Sequence, residues 1–276
     1  MTADLHSHTH YSDGTLSPAD VLELARHREI SILAITDHDT MEGIPEAQAA
    51  ARERGVDLIP ALELTSVFRD QELHLLGYFH QEGWKEPFFQ DALRKFRAVR
   101  HERAEKMVRR LREQGLSLDF DQVLAVSGKG AIGRPHIARA LLAAGQIRSF
   151  DEAFSRYLNR GKAAWVEKYR LPAAEAIDLI HRAGGLAVLA HPGLLRNEAI
   201  PADLVELGLD GVEAFHTKHG AAQSERFLKW ARGHNLLCTG GSDCHGQATP
   251  LLGNTRLEGP CLDQFLEKLR GSRVRS

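Results

Sequence analysis

The sequence predicts an α/β barrel that carries an additional helical segment, and three observations lead to this prediction. Short aliphatic or β-branched runs alternate with amphipathic stretches along most of the chain, a pattern typical of parallel strands joined by crossover helices. The alternation lapses only from about Pro87 to Trp165, where helix follows helix. With 276 residues, of which 43% are hydrophobic, the chain is long enough to bury the core of one such barrel.

The predicted strands are short apolar runs, most of which end close to a His, Asp or Glu residue. They cover Ala3 to His8, Ile32 to Asp37, Leu58 to Thr65, His74 to Phe79, Leu186 to His191, Gly211 to Phe215 and Leu237 to Ser242. The carboxyl ends of the strands of a parallel barrel are where its active site is built. The sequence therefore predicts a site at that end.

The helices predicted outside residues 87–165 have apolar residues at helical spacing. They cover Pro18 to Arg28, Gly43 to Arg54, Ala173 to Arg182, Ala202 to Leu207, Ala222 to Gly233 and Leu262 to Leu269. Ser17 before Pro18 is typical of an N-cap followed by proline at the first helical position.

The segment without alternation is interpreted as a helical insert at residues 99–167 that covers the active site, between barrel segments 1–98 and 168–276. A long surface excursion would give the same pattern. The segment opens on a strongly charged stretch, FRAVRHERAEKMVRRLREQG, and most of that charge is expected on a solvated helix face.

Composition excludes several functional classes. No stretch approaches about 18 uninterrupted apolar residues, and the N-terminus shows no leader pattern, so we expect a cytoplasmic protein without a membrane partner. Three cysteines without CxxC spacing argue against a disulfide framework or a thiolate zinc site. Because 35 Lys and Arg face 37 Asp and Glu, duplex DNA is not an expected partner. The sequence specifies no oligomeric state.

Histidine is the unusual component, with 15 residues in the chain. Asp4, His6 and His8 alternate, so an extended strand would project all three side chains to one face. Further candidates follow the other strands at Asp13, Asp37, His38, Asp39, Glu63, His74, His191, Asp243 and His245. Many carboxylates and imidazoles in one cavity would repel one another and lose solvation unless cations compensate them. Mixed nitrogen and oxygen ligands favour Mn²⁺, with Fe²⁺ or Zn²⁺ as alternatives.

These residues form motifs that resemble those of the PHP family, named for polymerase and histidinol phosphatase. The motifs are DLHSH (4–8), TDHD (36–39), the isolated Glu63 and His74, HPG (191–193) and GSDCH (241–245). The resemblance implies a distorted (β/α)7 barrel with three divalent metal ions per chain.

The resemblance also implies which side chains hold each ion. His6 and His8 would hold one ion with Glu63 and Asp243, and Glu63 would bridge to a second ion held by His74 and His191. Asp13, His38 and His245 would hold the third. Many relatives carry His where this chain has Asp13, and a carboxylate is also a good ligand.

Two carboxylates are expected to act behind the ligands. Asp4 and Asp37 would each accept a hydrogen bond from a ligand imidazole and fix its tautomer. A purely structural role at a strand end is the alternative for both.

Close divalent ions suit phosphate ester hydrolysis by metal-activated hydroxide, because they generate hydroxide near neutral pH and neutralise the phosphoryl charge. No Ser or Cys nucleophile is needed. The leaving group needs a proton, which Asp39 or His216 could supply. Ser12, Asp13 and Asp39 are the predicted substrate contacts beside the metal motifs.

The insert is expected to select the substrate. The segment SGKGAIGRPHIARALL places Lys129, Arg134 and His136 around the start of a helix, where free amide groups and cations favour an anion. An ordinary Gly-rich turn and helix cap is the alternative. Arg160, in a second basic turn, and Arg103, on the charged helix, are further candidates for phosphate binding.

Within the PHP family the TDHDT and GRPHIA segments resemble the nucleoside 3',5'-bisphosphate phosphatases and 5'-to-3' exoribonucleases. The resemblance implies removal of the 3'-phosphate from compounds such as adenosine 3',5'-bisphosphate, leaving the nucleoside 5'-monophosphate. Trimming of short single-stranded RNA ends is an implied second activity. The alternatives are a histidinol-phosphate phosphatase and a non-catalytic metal-binding regulatory domain.

Overall fold

A computed structural model describes residues 1–128, 130–169, 171–196, 202–247 and 249–274. Its centre is a seven-stranded sheet in which the strands lie in chain order. The strands are β1 (Ala3–Asp4), β2 (Ile32–Ile35), β3 (Asp57–Phe68), β4 (Gln71–Phe79), β5 (Gly185–Leu189), β6 (Gly211–His216) and β7 (Leu237–Gly241). The Leu5 N–H donates to the Gly240 carbonyl at 3.1 Å and the His8 N–H to the Cys244 carbonyl at 2.8 Å. These bonds join the first strand to the last and nearly close the sheet into a barrel.

The fourth strand departs from the predicted parallel arrangement. β4 is antiparallel to both β3 and β5, so the prediction of parallel strands is wrong at this position. Arg69 and Asp70 connect β3 directly to β4 with φ angles of 46° and 62°, which is the backbone of a tight hairpin turn. Because a hairpin reverses the chain, Thr65 near the end of β3 pairs with His74 near the start of β4. His74 therefore lies at the same end of the barrel as the other candidate ligands.

Helices surround the sheet and supply most of its connections. They are α1 (Pro18–His27), α2 (Ile44–Arg54), α3 (Pro87–Glu113), α4 (Phe120–Ser127), α5 (Arg134–Ala143), α6 (Phe150–Ala153), α7 (Ala173–Arg182), α8 (Asp203–Glu206), α9 (Ala221–Gly233) and α10 (Gly259–Gly271). The helices predicted outside the insert are confirmed, with small differences at their ends. Ser17 caps α1 by accepting the Asp20 N–H, as predicted, and Asp20 completes a capping box. None of the helices described is long and apolar enough to cross a membrane.

The strands bury both faces. Ile32 and Ala34 of β2 belong to the cluster inside the barrel, whereas Leu33 and Ile35 belong to the cluster between the sheet and its helices. This alternation follows from the two-residue period of a strand, and it explains why the strands read as continuous apolar runs.

The segment interpreted as an insert is helical and has its own core. Met107 and Leu111 of α3 pack with Ile137 and Leu141 of α5 in a cluster separate from those of the barrel. Helix α3 runs without a break through residues 98 and 99, so the predicted boundary falls inside a continuous helix. The exact division into barrel and insert stays a prediction.

Candidate metal centre

Glu63 lies at the centre of the candidate site, in the carboxyl-terminal half of β3. One of its oxygens, Oε2, lies 3.2 Å from Nε2 of His6 and 3.2 Å from Nε2 of His8. Oδ1 of Asp243 lies 3.4 Å and 3.2 Å from the same two nitrogens. The structure thus brings together the four side chains expected to hold the first ion.

The other Glu63 oxygen faces a second group of imidazoles. Oε1 lies 2.6 Å from Nδ1 of His74 and 2.9 Å from Nε2 of His191. His191 has a φ of 28°, a strained value for a residue other than glycine. Strain of this kind collects at functional sites, and here it places the ring beside Glu63, which joins the first and second groups as expected.

The third group lies on the far side of His8. Asp13 Oδ1 lies 3.1 Å from Nε2 of His245 and 3.9 Å from Nδ1 of His8, and Asp13 Oδ2 lies 3.8 Å from Nε2 of His38. His38 also reaches the centre, because its Nδ1 lies 3.2 Å from Glu63 Oε2. All nine side chains predicted as ligands therefore meet at one end of the barrel.

The donor set fits divalent cations. Ligand atoms that share one cation at about 2.0 to 2.2 Å lie about 3.0 to 3.5 Å apart, which matches the spacing around Glu63 Oε2 and Asp243 Oδ1. The Nε2 atoms of His6 and His8 face each other at 3.2 Å. Two imidazole lone pairs directed at one point require either a proton or a cation between them.

Buried polar atoms without a hydrogen bond also indicate that a ligand binds in the rest of the site. Asp13 Oδ1 and His38 Nδ1 are buried and form no well-aligned hydrogen bond in the described part of the chain, although they lie 3.1 Å from His245 Nε2 and 3.2 Å from Glu63 Oε2. Buried polar atoms are almost always paired in native proteins, so these atoms are explained by a ligand that binds there.

Glu213 orients His6 and was missed in the sequence. Its Oε1 lies 3.0 Å from Nδ1 of His6 and its Oε2 accepts the His191 N–H at 2.7 Å. An Nδ1 proton donated to Glu213 leaves the Nε2 lone pair of His6 free for a cation. A signal was present, because Glu213 is the charged residue of the apolar strand β6 and is fully buried.

Asp37 acts on His8 through Ser12. The Ser12 hydroxyl donates to Asp37 Oδ1 at 2.6 Å and lies 3.4 Å from Nδ1 of His8, from which it can accept a proton. Asp37 also accepts the Thr9 N–H at 2.8 Å. Ser12, predicted as a substrate contact, is instead buried behind His8, and Asp37 reaches the imidazole only through it.

Asp4 has the structural role kept as the alternative. Its carboxylate accepts the backbone N–H groups of His6, Ser242 and Gly253 at 3.3, 2.9 and 2.8 Å. The expected hydrogen bond from a ligand imidazole is therefore wrong. Burial raises the pKa of Asp4 to about 6, although the hydrogen bonds oppose this shift. Asp4 ties the start of the barrel to its last segment.

Asp39 and His216 were the candidate proton donors. Asp39 Oδ2 accepts from Nε of Arg100 at 2.6 Å, and Oδ1 accepts the Thr65 N–H at 2.8 Å. Burial favours the neutral carboxyl, but the charge of Arg100 outweighs burial and lowers the pKa of Asp39, which disfavours Asp39 as an acid.

His216 is buried, its Nδ1 accepts the Lys218 N–H, and its Nε2 lies 3.4 Å from Asp243 Oδ2. Its role as a donor stays a prediction.

A pocket of about 140 Å³ adjoins the metal centre. Asp13, His38 and His74 line it on the side of the metal centre. Its other lining includes four cationic side chains, Arg100, Arg103, Arg134 and Lys168. Arg100 and Arg103 lie on α3 and Arg134 on α5, so these two helices bring cations against the metal centre.

Arg103 and Arg134 differ from the other cations of this pocket in how they are paired. Neither forms an ion pair with a carboxylate within the described ranges, whereas Arg100 pairs with Asp39 and Lys168 with Glu72. The Nη2 atom of Arg103 is buried without a hydrogen-bond partner among those residues. Both guanidinium groups lie against the Trp165 ring, 5.1 and 5.3 Å from its centroid.

Three other predicted phosphate contacts have different outcomes. His136 is buried, its Nδ1 accepts the Gly133 N–H at 3.0 Å, and burial lowers its pKa to about 4. It is therefore a neutral helix cap, which was the alternative, and not a cationic receptor. Arg160 lies outside the 140 Å³ pocket and lines the larger groove next to it. Lys129 lies outside the described residues.

Comparison with known proteins agrees with this geometry. The sequence profile of the PHP domain matches residues 4–167, which is more than half of the chain. The chain belongs to the PHP family. Its fold agrees, because a Bifidobacterium adolescentis protein described as a candidate metal-dependent phosphoesterase superimposes with a TM-score of 0.87 at 35% identity, over 96% of each chain.

Curated relatives of this PHP protein carry three different activity names. A Haemophilus influenzae protein named 5'-3' exoribonuclease is 33% identical over 88% of this chain and 89% of its own length. A 3',5'-nucleoside bisphosphate phosphatase of Chromobacterium violaceum is 32% identical over 88% and 86% of the two chains. A phosphoribosyl 1,2-cyclic phosphate 1,2-diphosphodiesterase of Eggerthella lenta is 32% identical over 90% and 95%. The chain is accordingly a metal-dependent PHP phosphoesterase.

Proposed function

We propose that the chain removes the 3'-phosphate from nucleoside 3',5'-bisphosphates, such as adenosine 3',5'-bisphosphate, and leaves the nucleoside 5'-monophosphate. One observation carries this proposal: Arg103 and Arg134, which form no ion pair among the described residues, line a pocket that directly adjoins the metal centre. A substrate with one phosphate at the metal centre and a second among the arginines would use both features.

Each group of residues has a role in this reaction. His6, His8, Glu63 and Asp243 would hold the first ion, His74 and His191 with Glu63 the second, and Asp13, His38 and His245 the third. The bound cations, which we propose to be Mn²⁺, would supply an activated water and neutralise the phosphoryl charge. Arg103 and Arg134 would bind the 5'-phosphate through charge-assisted hydrogen bonds and thereby place the 3'-phosphate at the metal centre.

The names of the relatives support a substrate with two phosphate groups. Both a nucleoside 3',5'-bisphosphate and a phosphoribosyl 1,2-cyclic phosphate contain two. Histidinol phosphate would present one phosphate and an amine. The carboxylates that line this pocket are Asp13, which faces His38 and His245 in the third ligand group, and Glu72, which is paired with Lys168. Neither is free to meet an amine, which argues against that substrate.

The test is phosphate release by the Mn²⁺-loaded protein from adenosine 3',5'-bisphosphate, 3'-AMP, 5'-AMP and histidinol phosphate. We expect kcat/KM to be highest for the bisphosphate, with 5'-AMP as the product by chromatography. Equal turnover of 3'-AMP and the bisphosphate, or accumulation of 3'-AMP as product, contradicts the proposal.

A second activity is favoured by the same pocket. A short oligoribonucleotide with a 5'-phosphate would also place that phosphate on Arg103 and Arg134 and its next phosphodiester at the metal centre. We therefore propose 5'-to-3' trimming of short RNA ends. The test compares 5'-phosphorylated with 5'-hydroxyl tetranucleotides, and equal cleavage of the two excludes this mode of binding.

A further inference from the structure

A groove of about 480 Å³ lies next to the cationic pocket and is not used by either phosphate of the proposed substrate. Arg134 and Lys168 line both the groove and the pocket, so the two spaces are neighbours. We infer that this groove is the binding site of the nucleobase. The inference rests on the proposed function and deepens it.

The volumes of the two spaces lead to this assignment. Sites for small organic ligands usually enclose about 300 to 1,000 Å³. The pocket, at about 140 Å³, is too small for a whole nucleotide and suits a phosphate group. The groove is large enough for a nucleoside. With the phosphates at the metal centre and at Arg134, the base must lie to one side. The groove adjoins the pocket and is large enough, whereas the other space that shares Arg103 with the pocket measures only about 40 Å³.

The lining of the groove suits a flat aromatic ligand. Tyr169 and Leu194 are among the few large hydrophobic residues exposed to solvent, with 51% and 46% of their surfaces accessible. They come from separate segments, one after the insert and one after His191. Each offers an apolar surface on which a base could stack or pack, and such contacts contribute strongly to nucleotide binding without depending on which base is present.

Trp165 also lines the groove, but its ring already contacts other side chains. Its ring already lies against the guanidinium groups of Arg103 and Arg134. Among the described residues of the lining, Tyr169 and Leu194 are therefore the large apolar side chains most open to a base, and the Tyr169 ring also lies 6.0 Å from that of Phe96. Arg160 and Arg196 stand at the groove, are exposed, and form no ion pair with a carboxylate in the described segments. They add positive charge to a groove whose lining also includes the carboxylates of Asp70, Glu72 and Glu167.

The experiment compares two bisphosphates that differ only in the base. The Mn²⁺-loaded protein is assayed with adenosine 3',5'-bisphosphate and with 1,4-anhydroribitol 3,5-bisphosphate, which has the same ribose carbons and phosphates but no base. We expect wild-type kcat/KM to be about tenfold or more higher for the nucleotide. The four common nucleoside bisphosphates should agree with one another within about tenfold.

The variants are Tyr169→Ala, Leu194→Ala and the double variant, with Tyr169→Phe as the conservative change. The double variant should reduce the preference for the nucleotide over the base-free compound by about tenfold, and Tyr169→Phe should retain it. Leu142→Ala is the matched control, because Leu142 is a leucine of similar exposure, 42%, and does not line the groove. Its preference should equal that of the wild type.

Two results overturn the inference. One is a wild-type protein that turns over both bisphosphates equally well, and the other is a double variant that loses activity equally on both. In either case the proposed function is judged separately, by comparing the base-free bisphosphate with 1,4-anhydroribitol 3-phosphate. If the bisphosphate is still preferred, phosphate recognition stands and only the base site fails.

Discussion

The metal centre and the cationic pocket are adjacent, but their charges are balanced in opposite ways. In the metal centre, oxygens of Glu63 and Asp243 lie within 3.4 Å of the imidazole nitrogens of His6 and His8. Atoms that can each bind a metal ion thus face one another. In the pocket, Arg103 and Arg134 have no carboxylate partner in the described part of the chain. One region is thus built to receive cations and the other to receive an anion.

The two regions also differ in how they are held. The ligands of the metal centre lie on strand ends and are oriented by Glu213, Ser12 and backbone groups. The arginines lie on helices α3 and α5, and their guanidinium groups lie against the Trp165 ring. We therefore expect changes at the centre to stop the reaction on every substrate, and changes at the pocket to alter the choice among substrates.

The largest effect should follow from removing the metals or their central ligand. Treatment with a chelator should abolish phosphate release from all substrates, and added Mn²⁺ should restore it. Glu63→Ala should reduce kcat by about 10³-fold or more, because several kcal/mol of charge stabilisation are lost. Metal content and kcat are measured together, and full activity in metal-free protein would show that the centre is not catalytic.

The next effect is on metal binding as the pH changes. Burial opposes protonation of His8, but Asp243 and Glu63 raise its pKa to about 10, and Glu63 raises the pKa of His74 to about 9 against the same opposition. In the metal-free protein both imidazoles are therefore protonated at pH 7, and a cation must displace two protons.

Lowering the pH from 8 to 7 should accordingly weaken Mn²⁺ binding by up to about 100-fold, since each displaced proton contributes a factor of ten per pH unit. Calorimetry in buffers of different ionisation enthalpy measures the protons released. A binding constant independent of pH over this range contradicts the assignment of these two imidazoles as ligands.

The pocket should show a smaller effect that depends on the substrate. Arg134→Ala should weaken turnover of adenosine 3',5'-bisphosphate relative to 3'-AMP by about 1.5 to 3 kcal/mol, the loss expected for one charge-assisted contact. Arg103→Ala should act in the same direction. Arg94→Ala is the control, since Arg94 lies on the same helix as Arg103 but is exposed and paired with Asp91. An equal loss on both substrates would remove the arginines from selectivity.

The smallest effect should come from Glu213→Gln. The amide oxygen can still accept from Nδ1 of His6, but the charge that raises the basicity of the ligand is lost. We expect about tenfold weaker metal binding or activity, as is common for residues behind metal ligands. The loss should be similar for mono- and bisphosphates, in contrast to Arg134→Ala. A thermal unfolding curve distinguishes this result from general destabilisation.

The metal ligands could be predicted because they follow local rules. His6, His8 and Asp243 stand at or just beyond strand ends, and in a barrel those ends converge wherever the helices lie. The arginine pocket was only partly predicted. Arg134 begins a Gly-preceded helix, which is a local signal, and Arg103 was also a candidate, but nothing in the charged stretch of α3 distinguishes Arg100 from its solvated neighbours.

Some assignments failed because the sequence does not show orientation. Asp4 alternates with His6 and His8, yet its carboxylate turns to backbone N–H groups at Ser242 and Gly253. His136 stands beside Arg134, yet its ring folds back onto the Gly133 N–H. A short polar side chain at a loop or helix end has several partners within reach, and only packing selects one.

The sequence by itself determined the chemistry of this protein: a set of imidazoles and carboxylates placed at strand ends, an alternation that predicts a barrel, and a helical segment rich in cations. Tertiary structure alone decided that β4 runs antiparallel and brings His74 to Glu63, that Glu213 orients His6, and that Arg100 neutralises Asp39. The physical reason is distance along the chain. These contacts join residues far apart in sequence, and their partners are chosen by burial and charge only after the barrel and the helices have packed.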